Sequence, residues 1–252
     1  MVSSALSVRR GVRVTTGLAW AYLVYMVWGM ENMDVPAAQL FMPAMVNWGP
    51  SDLVLVFLMW VIMMAAMMLP SAEPIIRMYV RTAEGQSEQA VGYISSLFVS
   101  GYLLIWSVFS LLATLAQWGL LELRLVTPMM DSASNWLSGS LLIAAGVFQF
   151  SRFRNACLNK CRTPLGFLIT DWRPGRRGAL IMGLRHGSYC LGCCAMLMLL
   201  LFALGVMNLI WILALTLIVL VEKLLPPGMT WPSHLLGLGF IAWGAYLLAV
   251  AL

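Results

Sequence analysis

Long apolar runs separated by short polar or charged segments fill the chain, roughly Thr16–Met30, Leu53–Leu69, Gly92–Trp118, Asn135–Phe150, Gly187–Leu204, Asn208–Val221 and His234–Leu252. Each approaches the ~20 residues a helix needs to cross the ~30 Å hydrocarbon core of a bilayer. Backbone polar groups in lipid must be satisfied within the segment, which favours helices. The alternating ten-residue pattern of a closed barrel is absent. The pattern predicts an all-α, polytopic transmembrane bundle of about seven spans, a single transmembrane domain over residues 1–252. The first run follows Arg9, Arg10 and Arg13 and lacks a small-residue cleavage pattern, so it is expected to be a retained span.

From Gly187 to Val221 the sequence is too long for one crossing, and Gly205-Val206-Met207-Asn208 is the expected break. Gly and Asn adopt the left-handed conformation that ends a helix. A tight turn there gives seven spans; one tilted or broken helix gives six. With seven, fourteen of the fifteen Lys and Arg fall on one side and only Arg124 on the other. The positive-inside rule then places the N-terminus in the cytoplasm. The largest polar segment, at about residues 151–186, becomes a basic cytoplasmic loop. It is expected to be partly helical and to lie at the interface, anchored by Phe153, Phe167 and Trp172.

Composition narrows the class. Hydrophobic residues make up 62% and charged residues 10%, and the mean hydropathy is +0.88. This excludes a soluble globular enzyme, a disordered chain and a disulfide-stapled module. The net charge of +5 is accounted for by topology, so no nucleic-acid partner is implied.

Chemistry concentrates in one third of the chain. Cys157, Cys161, Cys190, Cys193 and Cys194 are all of its cysteines. On a helix at ~100° per residue, His186, Cys190, Cys193 and Cys194 share an arc of about 100°. Cys157 and Cys161 form a second i, i+4 pair. Gly183, Gly187 and Gly192 punctuate the first helix, and small residues let neighbouring helices approach closely. On the cytoplasmic side thiols stay reduced, which points away from structural disulfides and toward metal binding or catalysis. Thiolates with imidazole suit Cu(I) or Zn. Taken singly, each cysteine also reads as a small buried hydrophobe.

Methionine extends the soft-ligand pattern. Met59, Met63 and Met67 form one stripe, Met64 and Met68 another, and Met26, Met30, Met33, Met42 and Met45 lie near the opposite ends of the first two runs. Thioethers select Cu(I) but are also ordinary gap-fillers in helix packing. Glu73 and Glu222 fall on the side of the cysteines, as partners of basic residues or as further ligands. Asn208 is expected to serve the turn, and His234 to cap the last span.

The segments Met67-Met68-Leu69-Pro70-Ser71, Cys157-x3-Cys161-Arg162-x-Pro164, Gly187-x2-Cys190-x-Gly192-Cys193-Cys194, Met207-Asn208-Leu209-x-Trp211 and Glu222-Lys223-x2-Pro226-x-Gly228 resemble an uncharacterised bacterial family of predicted metal-binding integral membrane proteins. The resemblance covers roughly Leu53 to Gly228, and Cys-x-Gly-Cys-Cys is its specific part. It implies metal handling and carries over onto Cys157, Cys161, Cys190, Cys193, Cys194 and Glu222. Ala195 stands where that family typically has an aromatic residue.

Together these readings predict a multi-pass protein of the bacterial inner membrane that binds a soft metal for transport, delivery or homeostasis. Copper is the expected ion, with zinc or another divalent transition metal as the alternative. Its partners are the bilayer, the ion, and a membrane protein or a second copy of the chain. Cys190, Cys193 and His186 are the expected ligands. Cys157, Cys161 and Cys194 are candidates for a fourth ligand or for steps on the way in or out, and Met59, Met63 and Met67 for a weak relay. No phosphate-binding Gly-x4-Gly-Lys-Ser/Thr loop is present, so ATP-driven pumping by this chain alone is not expected. Two alternatives remain: a membrane thiol–disulfide oxidoreductase using Cys190 and Cys193, and a structural or assembly subunit, to which eleven Trp and glycine-faced helices are suited.

Overall fold

The computed structural model describes residues 2–32, 34–35, 48–82, 88–123 and 134–251, with side chains from residue 7 onward and from residue 90 in the third helix. Met33, Met42, Met45 and Arg124 lie outside the described residues. The described chain is helical: α1 (Val2–Glu31), α2 (Pro50–Thr82), α3 (Glu88–Glu122), α4 (Asn135–Phe148), α5 (Arg152–Arg162), α6 (Pro164–Asp171), α7 (Gly175–Leu199), α8 (Leu201–Leu204), α9 (Leu209–Leu224) and α10 (Trp231–Val250). Among the described residues, four helices are long and apolar enough to cross a membrane: α2, α3, α7 continued by α8, and α10. The other expected runs differ for physical reasons. α4 and α9 have 14 and 16 residues, and the apolar half of α1 is diluted by Thr, Gly, Tyr and Trp. Exposed Leu104, Val108, Leu111, Leu112 and Leu115 give α3 an apolar outer face suited to lipid.

The second run does not stop at Pro70. α2 continues through Pro70 and Pro74 to Thr82. Proline lacks an N–H and leaves the carbonyl four residues earlier without its donor. Here the Trp20 indole N–H donates to the Ala66 carbonyl at 3.2 Å. Two residues on, the Met68 carbonyl accepts from Ser71 Oγ at 2.8 Å and from the Tyr102 hydroxyl at 3.1 Å. At Ala66 a neighbouring side chain thus re-satisfies the carbonyl that Pro70 leaves without its donor, as is needed in an apolar setting.

The break between the fifth and sixth runs falls where expected. Gly205 has φ 97°, and Asn208 caps α9 by accepting from the Ile210 and Trp211 N–H groups. The basic segment is more ordered than a loop: it forms α5, α6 and the first turns of α7, which starts at Gly175 rather than Gly187. Phe153 and Trp172 are exposed as anchors would be, but Phe167 is fully buried in the core. His234 does not cap α10; its ring stacks on Phe150 at 5.0 Å, and Thr230 precedes the helix.

Glycines set the closest helix contacts. α4 and α10 meet through Gly139 against Gly244 and Gly146 against Gly237, an antiparallel register in which a Cβ on Gly146 would stand 2.6 Å from the Gly237 carbonyl oxygen. That clash is with backbone, so no side-chain rotation relieves it. Gly146→Ala is expected to cost about 1–3 kcal/mol, read as a lower unfolding midpoint by tryptophan fluorescence in detergent. α7 lies equally close to α3, where a Cβ on Gly101 would stand 2.5 Å from the Leu180 carbonyl oxygen, and Gly183 faces the Phe98 carbonyl.

Candidate metal centre

That close approach brings Tyr102 of α3 onto the cysteine face of α7. Cys190, Cys193 and Cys194 are all buried, as the shared arc requires. Cys190 Sγ lies 3.1 Å from the Tyr102 hydroxyl and accepts from Lys223 Nζ at 2.9 Å. The same ammonium donates to Ser71 Oγ at 2.8 Å, so α3 and α9 meet at the Cys190 sulfur of α7, and α2 is tied in through Lys223. Cys193 Sγ and Cys194 Sγ are 3.1 Å apart, and Cys193 also donates to the Cys190 carbonyl at 3.2 Å. Cys194 also lies beside Cys190, and Cys193 beside Cys161 of α5, near enough for the thiols to interact electrostatically. The contacts therefore run in succession from Cys161 through Cys193 and Cys194 to Cys190.

Cys157 stands apart from this succession. Its sulfur packs on the bare backbone of Gly192, 2.8 Å from where a Cβ would be. Burial pushes the pKa of its thiol above the ordinary value. His186 is buried in an aromatic nest, with ring centroids 5.3 Å from Phe167, 5.7 Å from Tyr102 and 6.2 Å from Phe98. Its Nδ1 has no partner among the described residues. Tyr102 is the bridge, touching Cys190 through its hydroxyl and His186 through its ring. Among the described residues no three His, Cys, Asp or Glu side chains gather into a closed cation cage.

Glu222 is engaged elsewhere. Its Oε2 meets Arg154 Nη2 at 2.5 Å, and its Oε1 accepts from Ser233 Oγ at 2.7 Å. Arg154 is fully buried. Arg162 adds Nε to the Glu222 carbonyl at 2.7 Å and Nη1 to the Met229 carbonyl at 2.9 Å. These bonds dock α5 on α9 and on the turn before α10 and so fix where Cys161 sits. Glu73, the other acidic candidate, faces Arg9, Arg13 and Arg77 at 3.2, 3.5 and 3.7 Å. Met59, Met63 and Met67 are buried along α2. Met68 joins that helix to the site through its carbonyl and Tyr102.

Sequence reasoning missed Tyr102, Ser71 and Arg154 as parts of this region. Lys223 carried a signal, a lysine closing an apolar run; Tyr102 sits inside one and carried none.

Neither a curated protein nor a solved structure matches the chain. One family model does, over residues 57–247, a stretch that contains every thiol, methionine, histidine and glutamate named as a candidate ligand. With about three quarters of its length inside that match, the chain belongs to the PpoB2 family, described as a copper chaperone.

Proposed function

We propose that the protein spans the bacterial inner membrane several times, as one domain with a cytoplasmic N-terminus, and binds Cu(I) on the α7 thiols for delivery or homeostasis. The observation that carries this reading is the run of buried thiols Cys190, Cys193 and Cys194 on α7, with half-buried Cys161 on the helix packed against it. Sulfur is the donor Cu(I) prefers, and two or three sulfurs satisfy it, whereas a structural zinc site takes four ligands. A moving ion needs sites weak enough to leave, and a thiol shared between neighbours is such a site. The unpartnered Nδ1 of His186 and the buried methionines of α2 supply further soft or borderline donors beside this path.

Elemental analysis of the purified protein tests the reading. The parent loaded anaerobically with Cu(I) is expected to retain copper, and Cys190→Ser and Cys193→Ser to lose most of it. No retained copper in the parent, or unchanged copper in both variants, counts against the proposal. Redox-dependent cycling of Cys190 with Cys193 in thiol trapping would favour an oxidoreductase instead.

A further inference from the structure

A cavity of about 440 Å³ opens between the ends of α2, α5 and α9. That volume lies in the range of small-molecule sites. Its wall includes Ser71, Glu73, Arg77, Cys161, Arg162 and Lys223. Cys161 is the half-buried cysteine; the other four are buried. The thiol succession therefore meets this cavity at Cys161. Yet the wall sets three cations against one carboxylate, and Glu73 already faces three arginines. Arg162 commits Nε and Nη1 to backbone carbonyls, and its Nη2 has no partner among the described residues. Such a wall repels a bare or neutrally ligated Cu(I) cation and attracts an anion.

We propose that the cavity receives Cu(I) as an anionic complex of a low-molecular-weight thiol, and that Cys161 takes the ion from it by thiol exchange. This rests on the copper reading above and names the form in which the cargo arrives. In the exchange, one bond forms between copper and the Cys161 sulfur. One bond between copper and a carrier sulfur breaks, and the Cys161 proton leaves on the departing carrier thiol. Copper remains Cu(I), its two-sulfur core keeps a single negative charge, and a second exchange of the same kind, onto Cys193, releases the other carrier thiol. Arg77 and the unpartnered Nη2 of Arg162 hold the carrier's anionic groups while this happens.

The test measures loading rates of the full chain in detergent, without oxygen, from two donors: the anionic bis-glutathione Cu(I) complex and the cationic acetonitrile Cu(I) complex. Loading from the anionic donor is expected to slow with added salt, and loading from the cationic donor to quicken. Arg77→Glu is expected to lower the ratio of anionic-donor to cationic-donor rates by about tenfold or more. Because both rates come from one preparation, the ratio separates altered capture from poor folding. Loading from both donors with the same salt response, and a ratio that Arg77→Glu leaves as it was, overturns this inference and leaves copper binding standing. Loading from neither donor overturns both.

Discussion

Arg154→Met is expected to destabilise the protein by about 3–5 kcal/mol. The guanidinium is fully buried against a carboxylate that is itself buried, so removing it strands the Glu222 charge with Ser233 as its remaining side-chain partner. At about 2–4 °C per kcal/mol for a chain of this size, the unfolding midpoint should fall by roughly 6–20 °C. The pair as a whole is another matter, because taking two ions out of water offsets much of their attraction. The double variant Arg154→Met with Glu222→Leu should therefore recover most of the loss. Thermal unfolding in detergent, followed by tryptophan fluorescence, checks both variants. A single variant as stable as the parent would mean that the buried pair does not hold α5 in place. Since α5 carries Cys161, the single variant should also load copper more slowly than the double.

The helical, membrane-type character of the chain was legible because it depends on quantities summed over many residues. Apolar run length needs no knowledge of partners. The α7 face was legible for a similar reason: one helix fixes the relative directions of His186, Cys190, Cys193 and Cys194 by itself. The break at Gly205–Asn208 was readable because Gly and Asn act locally on the backbone. What depended on long-range contacts was hidden. Pro70 looked like an end, yet α2 continues because Trp20, fifty positions earlier in sequence, meets the Ala66 carbonyl that Pro70 leaves without a donor. The start of α7 was placed too late because Gly175–Arg185 is basic in composition, although Arg185 pairs with Asp171 of α6 at 2.5 Å. The sequence leaves Glu222 open between a partner of basic residues and a ligand, because the buried Arg154 that pairs with it lies 68 residues away. Tyr102 and Lys223 come to Cys190 from helices 88 and 33 residues distant, so no spacing rule in the sequence points to them.

Lys223→Met is expected to weaken copper retention by about 10- to 100-fold, the equivalent of losing a charged hydrogen bond of about 1.5–3 kcal/mol. A Cu(I) ion held between two thiolates carries one net negative charge. Burying that charge without a counter-ion is costly. The Lys223 ammonium, 2.9 Å from Cys190 Sγ and anchored by Ser71, supplies one positive charge at the place where it is needed. Methionine keeps much of the lysine's length and apolar stem, so the fold should survive the change. Lys223→Arg keeps the charge and should retain more affinity than Met, although a planar fork does not reproduce a single ammonium donor. Competition against a Cu(I) chelator measures each variant. Because this pair is buried, its contribution should change little with salt, in contrast to capture at the Arg77 side of the cavity. Equal affinity in the parent and in Lys223→Met would show that copper does not rest on Cys190, and would move the binding site along the thiol succession toward Cys161.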